Sequence, residues 1–192
     1  MIVTSLHGGL GNQMFQYAAG LYLAEKHKVK SLIDISKYKT YKLHPYLLNC
    51  LNISENYANY EITNKLKYVK ERKAAFGNKL ESVPDNTILE GYWQSLEYFD
   101  GIEDKLKKQF VVKDQLTGIN KQIAEEIKSS NSISIHIRRG SYLDESIEIL
   151  DPLDLSYYTD CLKCMNKLHN NSKLFVFSDE IDWVKHNFVL PH

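Results

Sequence analysis

The 192-residue sequence lacks any excess of charge, because 24 Lys and Arg balance 24 Asp and Glu. That excludes a global electrostatic footprint for nucleic acid or an acidic membrane surface, so any anion site must be local. Also missing are an apolar run near the length of a membrane span and a charged-then-apolar secretion signal at the N-terminus. These absences point to a cytoplasmic protein without a membrane span, and leave peripheral membrane association open. Cysteine is scarce: Cys50, Cys161 and Cys164 are too few for a disulfide framework and fit a reducing compartment. Cys161 and Cys164 form a C-x-x-C, but inside an amphipathic helical stretch with no second ligand pair at zinc-ribbon spacing, which favours packing over metal. The sequons at Asn52 and Asn170 carry no weight without a secretion signal. No internal repeat or low-complexity tract interrupts the chain.

What is present is an ordinary globular composition, 43% hydrophobic and 25% charged, enough for one good core or two small ones. The most informative stretch is His7–Gly20, HGGLGNQMFQYAAG. It follows the apolar run Met1–Leu6, read as a strand, and leads into a helix over Gln13–His27. Glycines at a strand-to-helix turn let backbone N–H groups approach a ligand, and a helix N-terminus favours an anion. A second strand near Val29–Ile35 completes a βαβ unit. Lys37–Asn49 reads as a loop over the strand ends, Glu61–Phe76 as a helix, Val83–Asn86 as a turn and Thr87–Trp93 as a strand. Gln94 and Ser95 open a helix with Leu96, Phe99, Leu106 and Phe110 near one face. Of the aromatics Tyr92, Trp93, Tyr98 and Phe99, most belong to the core by composition, although such rings also stack on a sugar or base.

Leu116, Ile119, Ile123 and Ile127 form an apolar stripe at helical spacing that leads into strand Ser132–Ile137, so the boundary between halves falls at Lys113–Gly118. HIRRGSYLD, His136–Asp144, follows directly. Two arginines at the C-terminal end of a strand point to the crevice where open α/β sheets bind ligands, and guanidinium suits phosphate. One of Arg138 and Arg139 reaches the phosphate while the other braces the loop or makes a second contact. A helix over Ser156–His169 and a strand over Leu174–Phe177 then deliver Ser178, Asp179 and Glu180, with Ser178 either a ligand contact or the N-cap of the next helix.

HGGLGNQMFQYAAG, GYWQSLEYF, HIRRG and FVFSDE, in this order between Ile2 and Phe188, resemble the alpha-1,2-fucosyltransferases of glycosyltransferase family 11. The resemblance implies a GT-B-like α/β fold with two Rossmann-like halves. These are 1–115 on the acceptor side and 116–192 as the start of the GDP-fucose-binding half, the latter incomplete. It further implies inverting, metal-independent transfer of fucose from GDP-fucose to the 2-hydroxyl of a galactose-terminated glycan. The absence of any Asp-x-Asp agrees with diphosphate charge being met by Arg and backbone amides. On this resemblance Arg138 contacts the β-phosphate, and Gly9, Gly11, Asn12, His136, Arg139, Ser178 and Asp179 surround the donor. His7, Asp144 and Asp179 are the candidates for a base, by position alone.

Two departures qualify it. Ser141 stands where the family usually has Asp, with Asp144 or Glu145 near enough in sequence to approach the same space. The family's later Asn-Ser-rich segment with paired tryptophans is missing, which implies a truncated transferase. A non-catalytic GDP-sugar or glycan-binding remnant is therefore the first alternative. An NAD(P)-binding oxidoreductase is the second, because Gly9-x-Gly11 with Asp34 after the second strand partly fits a dinucleotide fold.

Overall fold

A computed structural model of the chain describes residues 1–71, 80–140, 152–169 and 171–188. It divides into two compact units, Met1–Gln115 and Leu116–His192. In the first, β1 (Ile2–Ser5), α1 (Leu10–His27) and β2 (Ser31–Asp34) form the expected βαβ unit, with β1 and β2 parallel and Ile2 opposite Ser31. On its other side β1 pairs in parallel with β4 (Thr87–Glu90), which pairs with β3 (Lys67–Lys70). The order is β2-β1-β4-β3. Because β1 is internal and covered on both faces, all of IVTS is buried, whereas β3 at the edge exposes Lys67, Tyr68 and Lys70. The chain leaves β1 toward one side and returns on the other, so the topological switch point lies between β1 and β4. In an open parallel sheet ligands bind outside the strand C-termini at that point.

α1 is buried on every side through its middle, from Gln16 to Ala24. One apolar cluster joins Ile2, Leu23, Leu89 and Trp93 around it, and another joins Leu6, Tyr17, Leu48 and Leu106. Gly20 permits its close approach to β1: a Cβ there would lie 1.8 Å from Thr4 Oγ1. Gly20→Ala should therefore destabilise the protein by roughly 1–3 kcal/mol through overpacking. That outweighs the gain of about 1 kcal/mol in helix propensity, and a lowered urea midpoint would register it.

Three sequence expectations need correction here. α1 begins at Leu10, three residues before the expected Gln13, so Gly11 and Asn12 lie in its first turn rather than in the loop. The expected helix over Glu61–Phe76 is only one turn, α2 (Tyr60–Thr63), capped by Asn59, after which the chain extends into β3; residues 72–76 lie outside the described part. Ladder bonds to β4 override the local helical reading there. The expected helix from Gln94 is a 3-10 turn at Leu96–Phe99 followed by α3 (Glu103–Gln109), separated at Gly101, which takes φ +88°. The Val83–Asn86 turn forms, with Asn86 at φ +58°.

The second unit holds α4 (Gly118–Ser129), β5 (Ser132–Ile137), α5 (Leu155–Leu168), β6 (Lys173–Ser178) and α6 (Ile181–Asn187). β5 and β6 pair in parallel with Ser132 opposite Lys173 and Ile137 opposite Ser178. Ile133, Ile135 and Ile137 pack on Tyr158 and Leu162 of α5 and Val184 of α6, while Ser132, Ser134 and His136 face outward. The stripe of α4 forms a helix as expected, yet none of its residues is buried. Cys161 and Cys164 are exposed on α5. Among the described residues, no helix is long and apolar enough to cross a membrane, and no three His, Cys, Asp or Glu side chains group as metal ligands.

Candidate functional site

β1 ends at the switch point and delivers His7 and the glycine turn. Gly8 takes φ +80°, and a Cβ on it would meet Asn12 Nδ2 at 2.6 Å, so glycine is required there. Gly9 occupies the N-cap of α1 without a side-chain cap, and its carbonyl accepts from Gln13 N at 3.0 Å. The amides of Leu10, Gly11 and Asn12, the first three of the helix, have no acceptor among the described residues. Nothing lies within 4 Å of where a Gly11 Cβ would stand, so Gly11 answers no packing demand within the described residues.

Two buried glutamines hold this turn in shape. Gln13 donates Nε2 to the carbonyls of Gly8 (2.9 Å) and Pro45 (3.0 Å), while its Oε1 accepts from the amides of Leu47 and Leu48, both at 3.0 Å. All four of its hydrogen-bonding positions are used, as a fully buried amide requires. Gln16 accepts from His7 N at 3.0 Å and donates to His7 O at 3.1 Å. Tyr38 donates its hydroxyl to Gly8 O at 2.8 Å, and the His44 ring stands 3.7 Å from the Cβ position of Gly9. The Lys37–Asn49 loop thus closes over the turn. Sequence reading had passed over Gln13 and Gln16, although two amides spaced i, i+3 in an otherwise apolar helix were the available signal.

Electrostatics around the turn are nearly balanced. Lys37 pairs with Glu90 at the end of β4 (2.7 Å), and Lys70 lies 3.7 Å from the same carboxylate. Burial, assisted by the Lys37 charge, pulls the His7 pKa below its usual 6.5, so the imidazole is neutral at pH 7. Asp34, the ribose candidate of the dinucleotide alternative, is buried and accepts from Ser36 N at 2.9 Å, closing the turn after β2.

β4 ends in Gly91–Gln94. Asn12 Oδ1 accepts from Gln94 Nε2 at 2.7 Å. Trp93 is 1% exposed and meets Tyr98 edge-on at 5.6 Å, and Phe99 packs on Phe15, so these three aromatics belong to the core. Tyr92 does not: it is 45% exposed, with its ring centroid 4.7 Å from that of His7.

In the second unit, β5 delivers His136 on its exposed face and then the arginine pair. Arg139 is braced within the unit. Its guanidinium carbon sits 3.4 Å above the Trp183 ring, and its Nε lies 3.5 Å from Glu180 Oε2. Arg138 is exposed, and its charge reaches Asp179. Asp179 accepts from Arg139 N at 2.9 Å and Gly140 N at 3.2 Å, one bond to each oxygen. Desolvation works to raise its pKa, but these amides and the Arg138 charge bring it below the ordinary aspartate value. An ionised carboxylate engaged through both oxygens orients the arginine loop and is ill suited to take a proton. Ser178 accepts from Glu180 N at 2.9 Å, while the N-cap of α6 is Glu180, so the serine closes the preceding turn instead of capping the helix. Ser141, Asp144 and Glu145 lie outside the described residues.

Parallel strands that carry an amide-rich turn in one unit and an arginine pair in the other fit a Rossmann-like glycosyltransferase. The chain belongs to glycosyl transferase family 11, whose family model matches residues 1–191. It is 32% identical over 211 residues to an alpha-1,2-colitosyltransferase of Escherichia coli, covering 96% of this chain and 71% of the relative. To the O-antigen biosynthesis glycosyltransferase WbnK of Escherichia coli it is 25% identical over 224 residues, covering 96% and 74%. No solved structure matches it significantly.

Proposed function

We propose that the chain transfers fucose from GDP-fucose to the 2-hydroxyl of a galactose residue on a glycan, with inversion and without a metal, as a GT-B-like transferase. The observation that carries this reading is the division of labour in His136–Gly140. Arg138 is exposed at the C-terminal end of β5, where open parallel sheets bind ligands, and a guanidinium there suits a phosphate; beside it Arg139 is engaged by Glu180 and Trp183, and Asp179 fixes the backbone. In the reaction the acceptor oxygen forms its bond to the anomeric carbon as the bond to the β-phosphate oxygen breaks. The electron pair leaves with GDP, and the hydroxyl proton passes to a base or to water. Arg138 meets the charge that develops on the β-phosphate; within the first unit, the amides of Leu10, Gly11 and Asn12 are a separate set of donors suited to an anion. Such preorganised donors each contribute on the order of 3 kcal/mol. Neutral His7 is the remaining described candidate for the proton, since Asp179 is occupied.

The relative named for colitose makes that sugar the specific competitor to fucose. Incubating the protein with GDP-fucose, or with nucleotide-activated colitose, and a galactose-terminated acceptor separates them, with NMR of the product giving linkage and anomeric configuration. An α-1,2-linked fucosyl product is expected. GDP binding without transfer would reduce the protein to a nucleotide-sugar-binding remnant, and binding of NADH alone would reject the proposal.

A further inference from the structure

The corner after β4 is built in a way that packing does not demand. Trp93 takes φ +54°, a left-handed conformation unfavourable for a bulky residue, and its buried indole Nε1 has no hydrogen-bond partner. What holds the corner is Glu71, one residue past β3. Its amide donates to Glu90 O at 2.9 Å, and its Oε2 accepts from both Tyr92 N (2.7 Å) and Trp93 N (2.9 Å). Gly91 makes room for it, since a Cβ there would stand 2.4 Å from Glu71 Cβ. The strained turn buries Trp93 and, in the same step, holds Tyr92 out beside His7 and Gln94 against Asn12. This happens at the β1/β4 switch point.

We propose that Tyr92 is the platform on which the pyranose ring of the acceptor stacks, with Glu71 as its positioning residue. The inference rests on the glycosyltransferase reading and names the acceptor subsite within it. A half-exposed phenol ring offers an apolar face to the C–H side of a sugar. Beside it stands the neutral imidazole of His7, and, two residues on, the Gln94 amide is held by Asn12; both are neutral polar groups that suit hydroxyls. Lys37, whose charge acts on His7, is paired with Glu90, so the face beside Tyr92 is suited to the hydroxyls of an uncharged sugar.

The test is titration of methyl β-galactoside and, separately, GDP, followed by NMR. Tyr92→Ala should weaken galactoside binding at least tenfold, with a far smaller change for GDP, and Tyr92→Phe should stay within about threefold of the unsubstituted protein. Glu71→Ala should weaken it in the same direction, whereas Glu71→Gln, whose amide oxygen can accept the same two N–H groups, should largely restore it. Galactoside affinity unchanged in a folded Tyr92→Ala protein would overturn the platform, as would an equal loss for GDP, which would make Tyr92 a base-stacking residue. Tyr92 is a surface side chain, so its variants remain informative if Glu71→Ala does not fold. Failure of the transfer reading looks different: no product from GDP-fucose, with galactoside binding still dependent on Tyr92.

Discussion

Arg138→Ala is expected to lower the turnover of GDP-fucose, by transfer or hydrolysis, roughly 100- to 1,000-fold, the loss typical of removing one preorganised charge donor from a developing anion. The size of the effect follows from the neighbouring arginine. Arg139 has Trp183 against its face and Glu180 at its Nε, and turning it toward a phosphate would break both contacts. Substitution therefore leaves no ready substitute cation in the loop. In the proposed reaction charge builds on the β-phosphate only as the bond breaks, so the loss should appear mainly in kcat, with a smaller rise in the KM for donor. Arg138→Lys should recover part of the rate, since an ammonium keeps the charge but loses the bidentate geometry. Near-full activity in Arg138→Ala would reject the phosphate assignment.

Gly11→Ala should separate folding from function in the opposite sense. A Cβ at Gly11 meets nothing within 4 Å, and the position lies in the first turn of α1, so the fold accepts alanine. Stability should rise by a few tenths to about 1 kcal/mol, as glycine-to-alanine replacement in a helix generally gives. On the proposed function, donor binding should nevertheless fall at least tenfold, because a methyl group there would crowd an anion approaching the amides of Leu10, Gly11 and Asn12. Thermal unfolding and GDP titration on the same sample check both halves. A variant that is more stable and binds GDP unchanged would show that the turn receives no phosphate.

Much of the architecture was legible because its signals are local. The apolar run before a glycine cluster gave β1 and the βαβ unit, and alternation in SISIHI gave β5 to the residue. Errors fell where a long-range partner decides. Lys67–Lys70 reads as helix in isolation and becomes a strand because β4 offers a ladder. Gly101 ends one helix and permits another because it adopts a left-handed φ that composition alone does not announce. The start of α1 was misplaced because the glycines at 9 and 11 look like loop. Gly9 is the cap and Gly11 is already helical.

By itself, then, the sequence determined the parallel α/β class, the family motifs and the candidate residues from Gly9 to Asp179, since periodicity, glycine placement and residue chemistry are properties of short segments. Only the tertiary structure decided which partners those residues meet. It engaged Arg139 with Trp183 and Asp179 with two amides, and tied the glycine turn to a loop through Gln13. It also set Tyr92 beside His7 by way of Glu71, 21 residues away. A hydrogen bond or ring contact needs both partners in place, and partners far apart in sequence meet only when the sheet has set the register of its strands.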